Sequence, residues 1–282
     1  MKKNNILKSL AVLGILICII AIGLVGKNLV RFYAAPAMAV AHPLKGKKLS
    51  IVGDSISTFK EKIPSGYKTY YPRGDVMSVK DTWWYKLSRD TGIEILKNCS
   101  WSGSKVTGII NTISAYSAAS DKRINDLADG SATPDIIISY IGTNDLLSKE
   151  KMTIGHYDGS SPTPKVKFST TDFSQAYGVM LYKILKTYPK AKVYCCSLLN
   201  NLNSLNADLS LEDFNNKIKQ IAETMEVDGH KAEFIDLNAC GIDETNSSTT
   251  LLPDKIHPSA LGHKIIAQYI KKSLLREIKD KK

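Results

Sequence analysis

Leu49-Ser50-Ile51-Val52-Gly53-Asp54-Ser55-Ile56-Ser57 is an apolar run that ends abruptly in Gly-Asp-Ser. The run is short and rich in β-branched residues, which reads as a buried strand. Its end hands a serine to a tight turn at the carboxyl edge of a sheet, where open α/β sheets bind ligands. A serine hydroxyl is a weak nucleophile until a base and an oxyanion site act on it. Taken alone, Gly-Asp-Ser describes a strand-to-helix connection with a serine cap equally well.

Three further segments change that balance. Asn98-Cys99-Ser100-Trp101-Ser102-Gly103-Ser104 directly follows the apolar run Ile93 to Leu96. Gly142-Thr143-Asn144-Asp145 directly follows Ile136 to Ile141. Asp254-Lys255-Ile256-His257-Pro258 precedes the last helical pattern. In this order, the four blocks resemble the SGNH subgroup of the GDSL hydrolases, from about Lys48 to the C-terminal helix. Ser55, Gly103, Asn144 and His257 match the four residues that name the subgroup, and Asp254 matches its third triad member. Ile56 stands where the family name has leucine, a conservative change.

The resemblance implies a Ser55–His257–Asp254 triad. Ser55 attacks the ester, His257 takes its proton and returns it to the leaving alcohol, and Asp254 holds the imidazole. The implied oxyanion donors are the backbone N–H groups of Ser55 and Gly103 and the side-chain amide of Asn144. It also implies a flavodoxin-like three-layer α/β/α sandwich with strand order 2-1-3-4-5. Asp54 and Asp145 read as structural hydrogen-bonding groups.

The pattern of the chain agrees with an α/β class. Strands are expected over Leu49–Val52, Ile93–Leu96, Asp135–Ile141, Lys192–Cys196 and Glu233–Leu237. Between them lie helices from Asp81, as N-cap, to Asp90, near Lys122–Ala128, over Asp172–Thr187 and over Leu211–Met225, with a last helix over Ser259–Ile278. Alternation of this kind gives a parallel sheet covered on both faces. Residues 146–170, with Gly155, Gly159, Pro162 and Pro164, read as an irregular insertion. Ser55, Gly103 and Asn144 each follow a strand, and such ends lie on one edge of a parallel sheet.

The net charge of +11 is concentrated at the ends of the chain. Residues 1–48 hold eight basic side chains and no acid, which leaves +3 for the rest. No basic stripe interleaved with aromatics marks a nucleic-acid face. Ser9–Gly26 is uncharged and long enough to span a bilayer. Residues 1–26 are therefore expected to be a signal anchor or a signal peptide, 27–47 a linker, and 48–282 the hydrolase domain, placed outside the cytoplasm.

Cys99, Cys195, Cys196 and Cys240 are expected as buried free thiols, the adjacent pair facing opposite sides of its strand. No spacing suggests a metal or cofactor. His42, His156, His230 and His263 are expected in surface or loop positions. Of Trp83 and Trp84, one is expected in the core and the other at the cleft edge. Tyr70, Tyr71 and Trp101 are candidates for stacking on a sugar ring.

The main expectation is an exported serine esterase that removes acetyl or other small acyl groups from carbohydrate. The alternatives are a lipase or thioesterase for longer chains, an envelope O-acyltransferase, and a non-catalytic glycan-binding module on the same fold.

Overall fold

The computed structural model describes residues 42–109, 116–148, 152–157, 169–200 and 209–280. The apolar N-terminal run and nearly all of the expected linker lie outside them. Among the described residues, no helix is long and apolar enough to cross a membrane. The compact unit begins at Pro43. A turn buries Leu44, and the Gly46 N–H donates to the Gly92 carbonyl at 2.9 Å before the first strand starts.

In chain order the elements are β1 (Lys48–Gly53), α1 (Trp83–Thr91), β2 (Glu94–Asn98), β3 (Gly108–Ile109), α2 (Asp121–Asn125), β4 (Ile136–Tyr140), α3 (Thr143–Leu146) and β5 (Ser169–Thr170). They continue as α4 (Phe173–Thr187), β6 (Lys192–Cys196), α5 (Leu211–Thr224), β7 (Glu226–Val227), β8 (His230–Ile235), α6 (Ser247–Thr250) and α7 (Ala260–Asp280). The main sheet runs β2-β1-β4-β6-β8-β7. Its first five strands are parallel, in the order the sequence resemblance implies.

The sixth strand was not expected. β7 pairs antiparallel with β8 across Asp228-Gly229, whose φ angles are 50° and 81°. Two consecutive positive φ values are what a tight type I′ hairpin requires, and Asp-Gly is a strong sequence signal for one. β8 therefore starts at His230, ahead of the expected Glu233. The stretch read as an irregular insertion ends in β5, which pairs antiparallel with β3 in a separate two-stranded sheet.

Strand alternation feeds two cores. On β4, Ile137 packs in the layer under α4 and α5, while Ile136, Ile138 and Tyr140 pack in the layer under α1 and α7. Cys195 and Cys196 divide the same way, and all four domain cysteines are free thiols. α1 starts one residue later than expected, with Thr82 in place of Asp81 as its N-cap. Asp81 instead closes a short 3₁₀ turn, in which Ser78 and Asp81 cap each other's backbone N–H groups. Gly92 ends α1 in the left-handed conformation, as its position suggests.

Trp83 and Trp84 are both core residues, which corrects the expectation of one at the cleft edge. Their indole N–H groups donate to the Ser57 hydroxyl and the Ser57 carbonyl, each at 3.0 Å. Two adjacent helical tryptophans thus hold the turn after Ser55 from below. His263 is also fully buried, against the expectation of a surface or loop position. Its Nδ1 accepts the Trp83 backbone N–H at 3.2 Å, a donor left free at the start of α1.

Candidate active site

Ser55 leaves β1 directly into a 3₁₀ turn, Ser55–Ser57, capped by the Asp54 carboxylate on the Ile56 N–H. Gly53 must be glycine because a Cβ there would lie 2.7 Å from the Ser100 hydroxyl. That hydroxyl donates to Asn98 Oδ1 at 2.6 Å, while Asn98 Nδ2 donates to the Ser57 carbonyl at 2.8 Å. The end of β2 is thereby sewn to the serine turn. Asp54 is fully buried, and burial pushes its carboxyl up to about 6 despite the bond from Ile56.

His257 lies 202 residues away in sequence, yet its Nε2 is 2.8 Å from Ser55 Oγ. Its Nδ1 is 2.8 Å from Asp254 Oδ2. The other carboxylate oxygen accepts the backbone N–H groups of Ile256 and His257, each at 3.0 Å. One short turn therefore fixes both residues. Burial alone would raise the Asp254 carboxyl. The His257 N–H, the Tyr70 hydroxyl, the Ile256 N–H and the imidazole outweigh it and hold the carboxyl at about 2. Burial lowers His257 from its ordinary value, partly offset by Asp254 and reinforced by the charge of Arg73.

The other two predicted residues sit on the same sheet edge. Gly103 is exposed, with φ of 82°. A Cβ there would meet nothing within 4 Å, so the backbone conformation, with open space above it, is what favours glycine. The backbone N–H groups of Ser55 and Gly103 find no acceptor among the described residues. Asn144 is the second residue of α3, and its side-chain amide donates to the Ser104 carbonyl at 2.9 Å, which leaves its second N–H available. Next to it, Asp145 accepts from the Val106 and Thr107 N–H groups, each at 2.9 Å, and from the Thr107 hydroxyl at 2.6 Å. Asp145 thus ties the Asn144 turn to the Gly103 loop.

The three aromatic candidates for sugar stacking divide differently. Tyr71 is fully buried and donates to the Pro258 carbonyl at 2.8 Å. It supports the His257 turn from beneath and offers no surface to a sugar. Tyr70 lies flat on the His257 ring, centroids 3.4 Å apart and planes 9° apart. The Arg73 guanidinium lies over the Tyr70 ring at 4.7 Å, so Tyr70 has no open platform either. Its hydroxyl instead donates to Asp254 Oδ2. Trp101 is half-buried, packed against Tyr67 at 4.4 Å and Tyr116 at 5.9 Å.

Sequence reasoning missed Tyr70 as a partner of Asp254, and it missed Arg123. Arg123 is fully buried on α2 and donates to the Gly53, Cys99 and Tyr116 carbonyls and to the Ser104 hydroxyl. Burial lowers its pKa to about 10, which leaves it charged at neutral pH. Only its place one turn into a short helix could have hinted at this. Among the described residues, no cluster of His, Cys, Asp and Glu could hold a metal ion.

Known proteins place the chain. The family profile described as GDSL-like lipase/acylhydrolase matches residues 47–274. No curated protein matches the sequence. A solved structure described as a GDSL-like lipase, from Bacteroides uniformis, is 26% identical over 82% of this chain and 96% of its own, with a TM-score of 0.55. The fold is also shared with a family two carbohydrate esterase from Clostridium thermocellum, solved in complex with cellohexaose. That structure is 16% identical over 83% of this chain and 65% of its own, with a TM-score of 0.54. A family three carbohydrate esterase from Talaromyces cellulolyticus is 19% identical over 83% of this chain and 99% of its own, with a TM-score of 0.51. With the profile covering most of its length, the chain belongs to the GDSL-like lipase/acylhydrolase family and is an ester-bond hydrolase.

Proposed function

We propose that the protein is a serine esterase of the cell envelope that removes small acyl groups, acetyl foremost, from carbohydrate. The observation that carries the catalytic part is the unbroken contact from Ser55 Oγ to His257 Nε2 and from His257 Nδ1 to Asp254 Oδ2, each step 2.8 Å. A non-catalytic binding module has no use for a buried imidazole held between a serine and an ionised carboxylate.

In this mechanism, neutral His257 takes the Ser55 proton as Oγ attacks the ester carbonyl. The imidazolium that forms is stabilised by Asp254, already ionised. Negative charge gathers on the carbonyl oxygen, to which this mechanism assigns the free N–H groups of Ser55 and Gly103 and the second amide hydrogen of Asn144 as donors. His257 then gives its proton to the departing alcohol. Water repeats the sequence on the acyl-enzyme and releases the acid.

Two things support the substrate and the location. The fold is one that carbohydrate esterases use, among them the enzyme solved with cellohexaose. The apolar run Ser9–Gly26, preceded by Lys2, Lys3 and Lys8, fits an exported or membrane-anchored chain. The test is a screen of the purified full-length protein on p-nitrophenyl acetate, butyrate and decanoate, with acetate release from acetylated polysaccharides measured in parallel. Rapid acetate release is expected. Faster cleavage of decanoate with no acetate from any glycan would favour a lipase instead.

A further inference from the structure

We infer that Arg73 binds a negative charge on the alcohol half of the ester, so that the substrate is an acylated acidic carbohydrate. This rests on the serine esterase reading. In that chemistry the departing alcohol oxygen receives its proton from His257 Nε2. The departing oxygen must therefore lie against the imidazole edge, and the proposal seats the rest of the alcohol half on the side of the ring that Tyr70 and Arg73 occupy.

Tyr70 covers one face of the imidazole, and Arg73 lies over Tyr70, one ring thickness further out. The side chain is exposed but not loose. Arg73 and Val76 exchange backbone hydrogen bonds of 3.1 Å each, which closes a tight turn, and the guanidinium rests on an aromatic face. Among the described residues, Arg73 forms no ion pair. The nearby acids are engaged elsewhere. Asp75 accepts the Ala260 N–H at 3.1 Å, and Asp254 is bonded to His257, Ile256 and Tyr70.

A fixed cation beside a base that must itself become a cation works against catalysis, and Arg73 does disfavour protonation of His257. A substrate anion on Arg73 would cancel that penalty just when the imidazolium forms. The planar guanidinium fork suits a carboxylate or a phosphate. These are one chemistry from two sources, a uronate or a phosphorylated sugar.

The test compares mono-acetylated glucose, glucuronate and glucose 6-phosphate on the full-length protein, with p-nitrophenyl acetate alongside. At low ionic strength, kcat/KM for at least one charged ester should exceed that for the glucose ester by roughly 10-fold. The better of the two identifies the anion. The advantage should shrink with added salt, vanish in Arg73→Gln and survive in part in Arg73→Lys. Equal rates on all three sugars with normal p-nitrophenyl acetate turnover would overturn the Arg73 assignment alone, as would a charge preference unaltered in Arg73→Gln. No turnover of any ester would overturn the esterase reading and this one with it.

Discussion

The Tyr70 ring is stacked on His257, and its hydroxyl shares with the His257 ring the same carboxylate oxygen of Asp254. One side chain therefore limits both the tilt of the imidazole and the charge that Asp254 can offer it. The two effects separate by mutation. Tyr70→Phe keeps the stack and removes the hydrogen bond. Asp254 should then hold the imidazolium more tightly, so the acid limb of the kcat/KM profile should move to higher pH. Tyr70→Ala removes both, and kcat should fall more than in Tyr70→Phe. A Tyr70→Phe profile superimposable on wild type would show that the shared oxygen has no influence on His257.

Ser55→Ala should abolish ester hydrolysis and leave the fold intact, because the capping bond from the Ile56 N–H to Asp54 and the tryptophan bonds to Ser57 do not involve the Ser55 hydroxyl. Fluorophosphonate labelling followed by peptide mapping checks this. The label should fall on the peptide containing Ser55 and be absent from the variant.

The pH dependence follows from burial. His257 must be neutral to accept the Ser55 proton, and its pKa is displaced below the ordinary histidine value. Activity should accordingly rise with pH through an inflection below about 6.5. Asp254, held at about 2, stays ionised across that range and adds no second step. An inflection above 6.5 in wild type would contradict the desolvated site.

Asn144→Ala should lower kcat by roughly 10²–10³-fold if its free N–H reaches the oxyanion. Its other N–H secures Ser104, beside Gly103, so the Gly103 loop should also loosen. A change confined to KM would remove Asn144 from the oxyanion site.

His263 gives a stability prediction. It is fully buried and its pKa is lowered to about 3, because burial disfavours its charge. As pH falls below about 6.5, the unfolded chain takes up a proton that the native chain refuses, so the contribution of His263 destabilises between about 6.5 and 3. At pH 5 it should cost about 2 kcal/mol relative to neutral pH. His263→Asn, which can still accept the Trp83 N–H and does not titrate, should flatten that part of the stability curve. Asp54, raised to about 6, acts in the opposite sense over part of the same range. The comparison of wild type with the variant therefore isolates the histidine. Urea unfolding of both proteins from pH 7.5 to 4 checks it.

Much of the fold and site was legible because each block couples a local pattern to a local structure. An apolar run ending in Gly-Asp-Ser reads, beside the other three blocks, as a strand delivering a turn, and Asp254 and His257 interact across three residues. The order of the five parallel strands came from family resemblance and not from periodicity. The β7–β8 hairpin was signalled by Asp228-Gly229 but hidden behind the end of a helix. Tyr70 was placed in the right neighbourhood and given the wrong task, because nothing local reports a hydrogen bond to a residue 184 positions away. His263 was misjudged for the same reason, its contact with Trp83 spanning 180 positions. Arg123 defies the usual rule that charged side chains stay outside, and no single-sequence pattern announces such an exception.

Arg123 also bears on how the protein fails. Its guanidinium joins the end of β1, the end of β2 and the loop after Gly103, so the serine and the oxyanion donors hang on one buried knot in the core. Many hydrolases can lose a surface loop, and activity with it, long before the body of the domain melts. Here local opening of the active edge would require drawing a buried cation off several acceptors at once, each held by a charge-assisted hydrogen bond. Inactivation by denaturant should therefore coincide with the loss of tertiary structure and not precede it, which makes residual activity a direct gauge of the folded fraction.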